Sequence, residues 1–544
     1  MLQVQKWMSI EIPFEPKAEI HNIEEALMDV TFVNRDTKKE LKMPAFWDID
    51  KWYVRFAPNE LGIWDYTVTC SGKVDIGLNG VKGELECIPY TGEYEIYKRG
   101  FVKTIPDTRY FVYDDGTPFF YLGDTHWTMP MEEIDEAGPH AYGIETDSHF
   151  KYIVDVRVAQ GFTVYQSEPI GHSYNIMDGI DEKDVLGFRH MDRYFKYIAE
   201  KGLLHANAQL IFPGEVKEPM FDDNFVYHVT RYWVARYASY PVLWTLGQEI
   251  DASFFNKCGM TPENNPYKVM CKYIYELDPY QHPCTGHQEN AAICGAKGGS
   301  VAECWGYTMT SKPSSFYGMK EHTWWGVQWR PEVNKQHVFS IPKDYWFNGE
   351  GKVSINYETR YDYLYTKNFG ARANGYISIL NGMFGYGYGC ADMWYYNGRY
   401  SFNEDTSDGV DNVTRFEKEV PWGLMLKMPI NEQLTYMRNF FEGFDWWKLV
   451  PDFDSKEYYR NTRDDVFYTA AHINSDLYVV YYYNRNNNCD GVLNKLENVP
   501  YIAQWFDPQT GEYTDIAEFT PYDGHFAITT KPSRFDLILI VKKK

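Results

Sequence analysis

The sequence predicts an α/β protein: a (β/α)₈ TIM barrel flanked by N-terminal and C-terminal β-sandwich domains. Three observations carry this expectation. The chain has 544 residues, and single hydrophobic cores rarely grow beyond roughly 250–300 residues. Both ends carry short runs of alternating polarity broken by turn residues. Between them, short apolar runs alternate with helix-compatible segments over about 280 residues, close to the roughly 250 of a typical (β/α)₈ barrel.

At the N-terminal end, Trp52-Tyr53-Val54-Arg55-Phe56 and Trp64-Asp65-Tyr66-Thr67-Val68-Thr69 are strand-like and separated by Asn59 and Gly62, which predicts a sandwich over residues 1–95. Turn chemistry at Thr91-Gly92, Pro106-Asp107 and Asp114-Asp115-Gly116 marks the connection that follows. The barrel is assigned to 96–450, with strands expected at 119–123, 162–165, 203–208, 242–246, 282–286, 301–305, 353–357 and 385–389. Residues 188–201 and 223–237 have apolar positions at helical spacing and supply two of the crossovers. Alternation returns in Leu477-Tyr478-Val479-Val480-Tyr481-Tyr482-Tyr483 and Phe535-Asp536-Leu537-Ile538-Leu539-Ile540-Val541, predicting a second sandwich over 451–544.

Composition narrows the function. Lys+Arg of 53 against Asp+Glu of 76 gives a net charge of -23, a field that repels phosphate backbones and anionic lipid, so neither nucleic acid nor a membrane is expected as partner. No apolar run approaches the roughly 18 residues of a span, and the start lacks an apolar leader pattern; a cytoplasmic location is expected, or a secreted one if a leader was trimmed. The nine Cys form no C-x-x-C pair, which argues against a disulfide framework or structural zinc. His282 and His287 are five apart with no H-E-x-x-H motif, so no catalytic metal and no cofactor are expected. Gly-x-Ser-x-Gly is absent too. A homo-oligomer is left open. Aromatic residues make up 18% of the chain; their flat faces suit an aromatic core and also the C–H faces of sugar rings.

In a (β/α)₈ barrel, functional groups gather at the C-terminal ends of the strands. Polar or aromatic candidates follow almost every predicted strand: Asp124, His126 and Trp127; Gln166 and Glu168; Gln209; Gln248 and Glu249; His287; Glu303 and Trp305; Glu358; Asp392 and Trp394. Carboxylates, amides and aromatics without a phosphate-cradling Gly loop fit an uncharged polyhydroxylated ligand, a carbohydrate. Glycoside hydrolysis needs two carboxyl groups facing one bond. Trp244-Thr245-Leu246-Gly247-Gln248-Glu249 and Ser354-Ile355-Asn356-Tyr357-Glu358 supply the sharpest pair, since each puts a Glu at a strand end. A lone Glu is commonly a surface residue; joint placement is what singles these two out. Asp124, His126, Gln166, Gln209 and His287 are candidates to hydrogen-bond sugar hydroxyls, and Trp127, Trp305 and Trp394 to form walls. Glu303 is the rival carboxylate, with a substrate-binding role preferred.

The order of these motifs resembles the apiosidase-like branch of the clan A glycoside hydrolases over essentially the whole chain. The resemblance rests on Gly123-Asp124-Thr125-His126-Trp127 at the first strand, on Asn356-Tyr357-Glu358-Thr359-Arg360-Tyr361 at the seventh, and on Arg372 with the Gly-rich stretch 382–389. The stretch from Phe46-Trp47-Asp48 to Trp64-Asp65-Tyr66 resembles the sandwich that precedes such barrels, and Trp505-Phe506-Asp507-Pro508 the collagen-binding-type sandwich that follows them. The resemblance implies that Glu249 is the acid/base and Glu358 the nucleophile of a retaining, double-displacement enzyme. It implies exo-action on a terminal furanosyl sugar, apiose or arabinofuranose, or a related sugar of a plant-type glycan or glycoside. Two departures stand out. Gln248 replaces the Asn that contacts the sugar 2-hydroxyl in most clan members, and Glu249 stands where apiose-cleaving relatives can carry Asp; arabinofuranose and hexoses therefore stay open beside apiose. The alternatives are a non-catalytic carbohydrate-binding protein, which needs no paired carboxylates, and a polysaccharide lyase, which needs an Arg/Lys cluster that these strand ends lack.

Overall fold

The computed structural model describes the chain except residues 18–25, 73–75, 139–140, 142, 169–181, 209–217, 248–249, 251–262, 290–313, 332, 334–338, 363–368, 391–421 and 462. Eight parallel strands form its central sheet: Tyr121–His126, Val164–Ser167, Leu204–Ala208, Val242–Thr245, a fifth in two pieces, Trp324–Gln328, Val353–Glu358 and Gly385–Tyr388. The first strand pairs with both the second and the eighth. The fifth is interrupted at Gly286: Cys284–Thr285 pairs with the fourth strand and His287–Glu289 with the sixth, so this break joins the two halves and closes the ring. Helices return the chain between strands. Helix Asp223–Tyr237, for example, is capped by the Asp222 carboxylate, which accepts the Phe225 N–H at 2.8 Å, and it buries Val226, Val229, Trp233 and Val234 at helical spacing.

One strand expectation is corrected. The sixth strand is Trp324–Gln328, and it pairs with His287–Glu289 on one side and Val353–Glu358 on the other. Residues 301–305, expected to fill that place, lie outside the described residues. Both segments are short apolar runs, and periodicity cannot rank such runs; only the register with the neighbouring strands does. The first strand also starts later than expected, because Pro118–Phe119 belongs to a separate hairpin with Phe111–Val112.

Bulky side chains fill the barrel interior, and glycine makes room for them. A Cβ on Gly123 would fall 2.2 Å from Gln166 Oε1, and one on Gly387 would fall 2.1 Å from the Tyr357 carbonyl oxygen. Both distances are far inside van der Waals contact, which explains the Gly of the first-strand motif and the Gly-rich eighth strand.

Antiparallel sheets flank the barrel. A five-stranded sheet contains Ala26–Asn34 and Gly62–Gly72, and a three-stranded sheet contains Ile10–Phe14, Lys51–Phe56 and Phe46–Asp48. At the other end, a six-stranded sheet with Leu477–Tyr482 and Leu537–Lys543 at its centre accompanies a three-stranded one. Buried ion pairs tie these sheets to the barrel. Arg55 and Arg236 both bond to Asp192, at 2.6 and 2.5 Å; burial disfavours the charge on Asp192, but the two guanidiniums outweigh it and hold the carboxyl far below its usual range. Arg372, on helix Phe369–Leu380, makes a bidentate pair with Asp536 at 2.6 and 2.9 Å. This arginine from the resemblance motif therefore joins barrel to C-terminal sheet. Among the described residues, no helix is long and apolar enough to cross a membrane.

Candidate active site

The seventh strand ends on Glu358, which is almost fully buried. Its register against the sixth strand shifts at Val327/Gln328, so that Gln328 pairs with Glu358 and the Trp329 N–H donates to the Glu358 carbonyl at 3.0 Å. A bulge of this kind re-aims a side chain at a barrel rim. Tyr361 donates its hydroxyl to Glu358 Oε1 at 2.7 Å, and Trp127 Nε1–H donates to the same Tyr361 oxygen at 2.6 Å. Burial, and then the nearby Glu358 carboxylate, push the Tyr361 phenol well above its ordinary value. Tyr361 therefore keeps its proton and acts as donor. The other carboxylate oxygen, Oε2, lies 3.3 Å from His287 Nε2, and Arg330 Nη2 stands 3.7 Å from Oε1. Trp127 lies nearly parallel to the His287 ring, with centroids 6.1 Å apart.

The first strand's charged residues form a different assembly. His126 donates from Nδ1 to Glu132 Oε1 at 2.6 Å and from Nε2 to Asp124 Oδ2 at 2.8 Å, while Arg157 Nε donates to the same Asp124 oxygen at 2.5 Å. Burial opposes a charge on His126, but the carboxylates of Glu132 and Asp124 more than offset this and raise its pKa to about 9. Burial likewise works against the Asp124 charge, yet Arg157 and His126 bring its pKa below the ordinary value. Carboxylates and cations thus offset one another in a buried cluster. Neither His126 nitrogen is left for a ligand; Asp124 Oδ1 is buried without a hydrogen-bond partner among the described residues.

Gln166 sits inside the barrel, where it accepts from Tyr121 at 3.0 Å and donates to the Tyr357 carbonyl at 2.9 Å. Asn356 is equally committed: it donates to Ser378 at 2.8 Å and accepts from the Trp329 N–H at 3.3 Å. Gln209, Gln248, Glu249, Glu303, Trp305 and Trp394 lie outside the described residues. The immediate neighbours of the Gln248-Glu249 pair are described. His287 donates its N–H to the Gly247 carbonyl at 3.1 Å, and Ile250 N–H donates to the His287 carbonyl at 3.2 Å. The structure therefore brings Trp127, His287 and Glu358 together, and adds Tyr361 and Arg330. Tyr361 was visible as the last residue of the seventh-strand motif, although no role followed from spacing alone. Arg330 lies two residues beyond a strand that the sequence placed elsewhere. Glu168 is fully buried beyond the second strand, and it and Glu358 both help raise the Tyr357 phenol pKa, though less than burial and a Thr245 hydrogen bond affect it.

Residues 106–448 match the family model described as apiosidase-like, catalytic domain. Residues 3–71 match a domain of unknown function, and 454–542 a domain described as a "putative collagen-binding domain of a collagenase". Among solved structures, the chain is similar to a "putative glycoside hydrolase" from Bacteroides vulgatus at 16% identity, with a TM-score of 0.68 and coverage of 100% of both chains. It is also similar to a glycoside hydrolase family 5 structure from the same organism, at 19% identity and a TM-score of 0.60, covering 83% of this chain and 95% of that one. At such identities the likeness is one of fold. No curated protein matches the chain.

Proposed function

The chain belongs to the apiosidase-like family, and from that premise we propose that it is a retaining, exo-acting glycosidase that removes a terminal furanosyl sugar, apiose or arabinofuranose, or a related sugar from a plant-type glycan or glycoside. The observation that carries the reading is the setting of Glu358: a buried carboxylate at a strand end, oriented by a neutral phenol at 2.7 Å, with an imidazole at 3.3 Å and a guanidinium at 3.7 Å. A carboxylate fixed this way at a strand end is placed to attack an electrophilic carbon. In this reading Glu358 attacks the anomeric carbon while the Glu249 carboxyl protonates the departing glycosidic oxygen. The sugar is then an ester of Glu358. Glu249, now a carboxylate, takes a proton from water, whose oxygen attacks the same carbon and frees Glu358. Support for Glu249 as partner comes from Gly247 and Ile250, both hydrogen-bonded to the backbone of His287, whose ring lies 3.3 Å from Glu358. Tyr361 pins Oε1 through both steps.

A panel of nitrophenyl furanosides and pyranosides, followed by proton NMR of the first-formed product, tests this reading. Retained configuration is expected, with the two carboxyl groups about 5–5.5 Å apart in a ligand complex. An inverted product with a separation of roughly 6.5–9.5 Å would mean that water, not Glu358, attacks the sugar.

A further inference from the structure

A pocket of about 210 Å³ lies where the N-terminal sheet meets the barrel. One wall is aromatic: Trp47, half-buried, and Trp52, buried, come from the hairpin Phe46–Asp48 and Lys51–Phe56, with ring centroids 5.8 Å apart and planes inclined at 61°. The opposite wall is helix Asp223–Tyr237, which contributes Asn224, His228 and Tyr232 at intervals of four, hence on one helical face. The Tyr232 hydroxyl donates to the Trp47 carbonyl at 3.0 Å and accepts from Arg236 at 2.8 Å, so the two walls are fixed to each other. Asp222, at the rim, adds a carboxylate.

The location decides what this pocket can serve. In a (β/α)₈ barrel the helix runs back against its strand, so helix N-termini lie at the same end of the barrel as strand C-termini. Asp222, Asn224, Phe225 and His228 belong to the start of their helix, and Val185, also in the lining, to the start of helix Glu182–Glu200. The pocket therefore opens on the flank of the barrel at the end that bears Glu358. Flat indole faces beside amide, imidazole and carboxylate groups fit a sugar ring, which presents C–H faces and hydroxyl edges. Arg231, also in the lining, is paired with Asp29 at 2.6 Å, and a chain carrying a net charge of -23 disfavours an anionic sugar.

We propose that this pocket is an accessory subsite for a neutral glycan, holding a sugar of a polymeric substrate at a distance from the catalytic carboxylates. The proposal rests on the glycosidase reading for its ligand class. Its test uses the full-length Glu358→Ala protein, native gels cast with soluble arabinan or arabinoxylan, and the Trp47→Ala and Asn224→Ala changes added singly. Glu358→Ala should be retarded by at least one polysaccharide. Trp47→Ala should weaken that binding roughly tenfold through loss of a stacking face, and Asn224→Ala, a change at an exposed helix position that leaves the core intact, roughly threefold. In the active enzyme, Trp47→Ala should raise KM on the polymer by the same factor and leave KM on a nitrophenyl furanoside unchanged. Absence of retardation in both gels, or retardation that neither substitution weakens, overturns the proposal. Failure of the wild-type enzyme on every aryl glycoside would overturn the glycosidase reading, while the gels still decide the pocket.

Discussion

The ends of the first and seventh barrel strands both present acidic side chains to the same rim, yet their surroundings differ in charge. At the first, Asp124 and Glu132 are neutralised by His126 and Arg157 at 2.5–2.8 Å. At the seventh, Glu358 is held by the neutral Tyr361, and its guanidinium neighbour, Arg330, stands 3.7 Å away. A carboxylate with its charge matched at hydrogen-bond distance stabilises the fold and makes a poor nucleophile. One oriented by a neutral donor stays reactive. On the proposed reading, the counter-ion at hydrogen-bond distance, not the place in the barrel, separates the structural acid from the catalytic one.

Breaking each side separately should give opposite signatures. The largest effect is expected from Glu358→Ala, which should lower kcat/KM roughly 10⁴-fold or more, as loss of a nucleophile does, with an unchanged melting profile. Arg157→Ala should do the reverse. It leaves Asp124 buried beside an unbalanced set of charges, which costs about 3–5 kcal/mol in stability by denaturant titration, while the protein that remains folded keeps its kcat within a few-fold. If Arg157→Ala were fully stable and catalytically dead, the first-strand cluster would belong to the chemistry. Tyr361→Phe sharpens the comparison from the other side. Loss of a hydrogen bond to a charged group costs about 1.5–3 kcal/mol, which predicts kcat lower by roughly 10–100-fold, with KM little changed.

The smallest effect concerns pH. His126 has a folded pKa of about 9 against about 6.5 when unfolded. A raised pKa means that the folded form binds the proton more tightly. Its contribution to stability is therefore complete below about pH 6.5 and is lost as pH rises through about 9. Melting temperatures should fall across that window, and His126→Gln should flatten the slope.

Much of this was legible in the sequence, and the parts that were not share a cause. The place of Glu358 at a strand end was identifiable because Asn356-Tyr357-Glu358 puts a carboxyl directly after an apolar run, a local pattern. The fate of His126 was not, since its partner Asp124 is tied in turn to Arg157, 33 residues away and on a different element. Charge pairing across elements leaves no periodic trace. The sixth strand failed for a similar reason: Trp324–Gln328 and 301–305 are both short apolar runs, and only inter-strand register distinguishes them. With the strand displaced, Arg330 could not be recognised as a neighbour of Glu358. The eighth strand's glycines were readable as a motif, but their purpose became clear only with the Tyr357 carbonyl packed against Gly387.

The central claim, that Glu358 forms a bond to the sugar while Glu249 handles the proton, is tested most directly by mass spectrometry of Glu249→Ala after incubation with an activated aryl glycoside. Without its acid/base the enzyme should still expel a good leaving group but release the sugar slowly, since no base activates water. The account predicts one added glycosyl mass on the peptide containing Glu358, and azide should clear it as a glycosyl azide of retained configuration. No adduct on that peptide, together with Glu303→Ala instead showing the leaving-group-dependent loss, would contradict it.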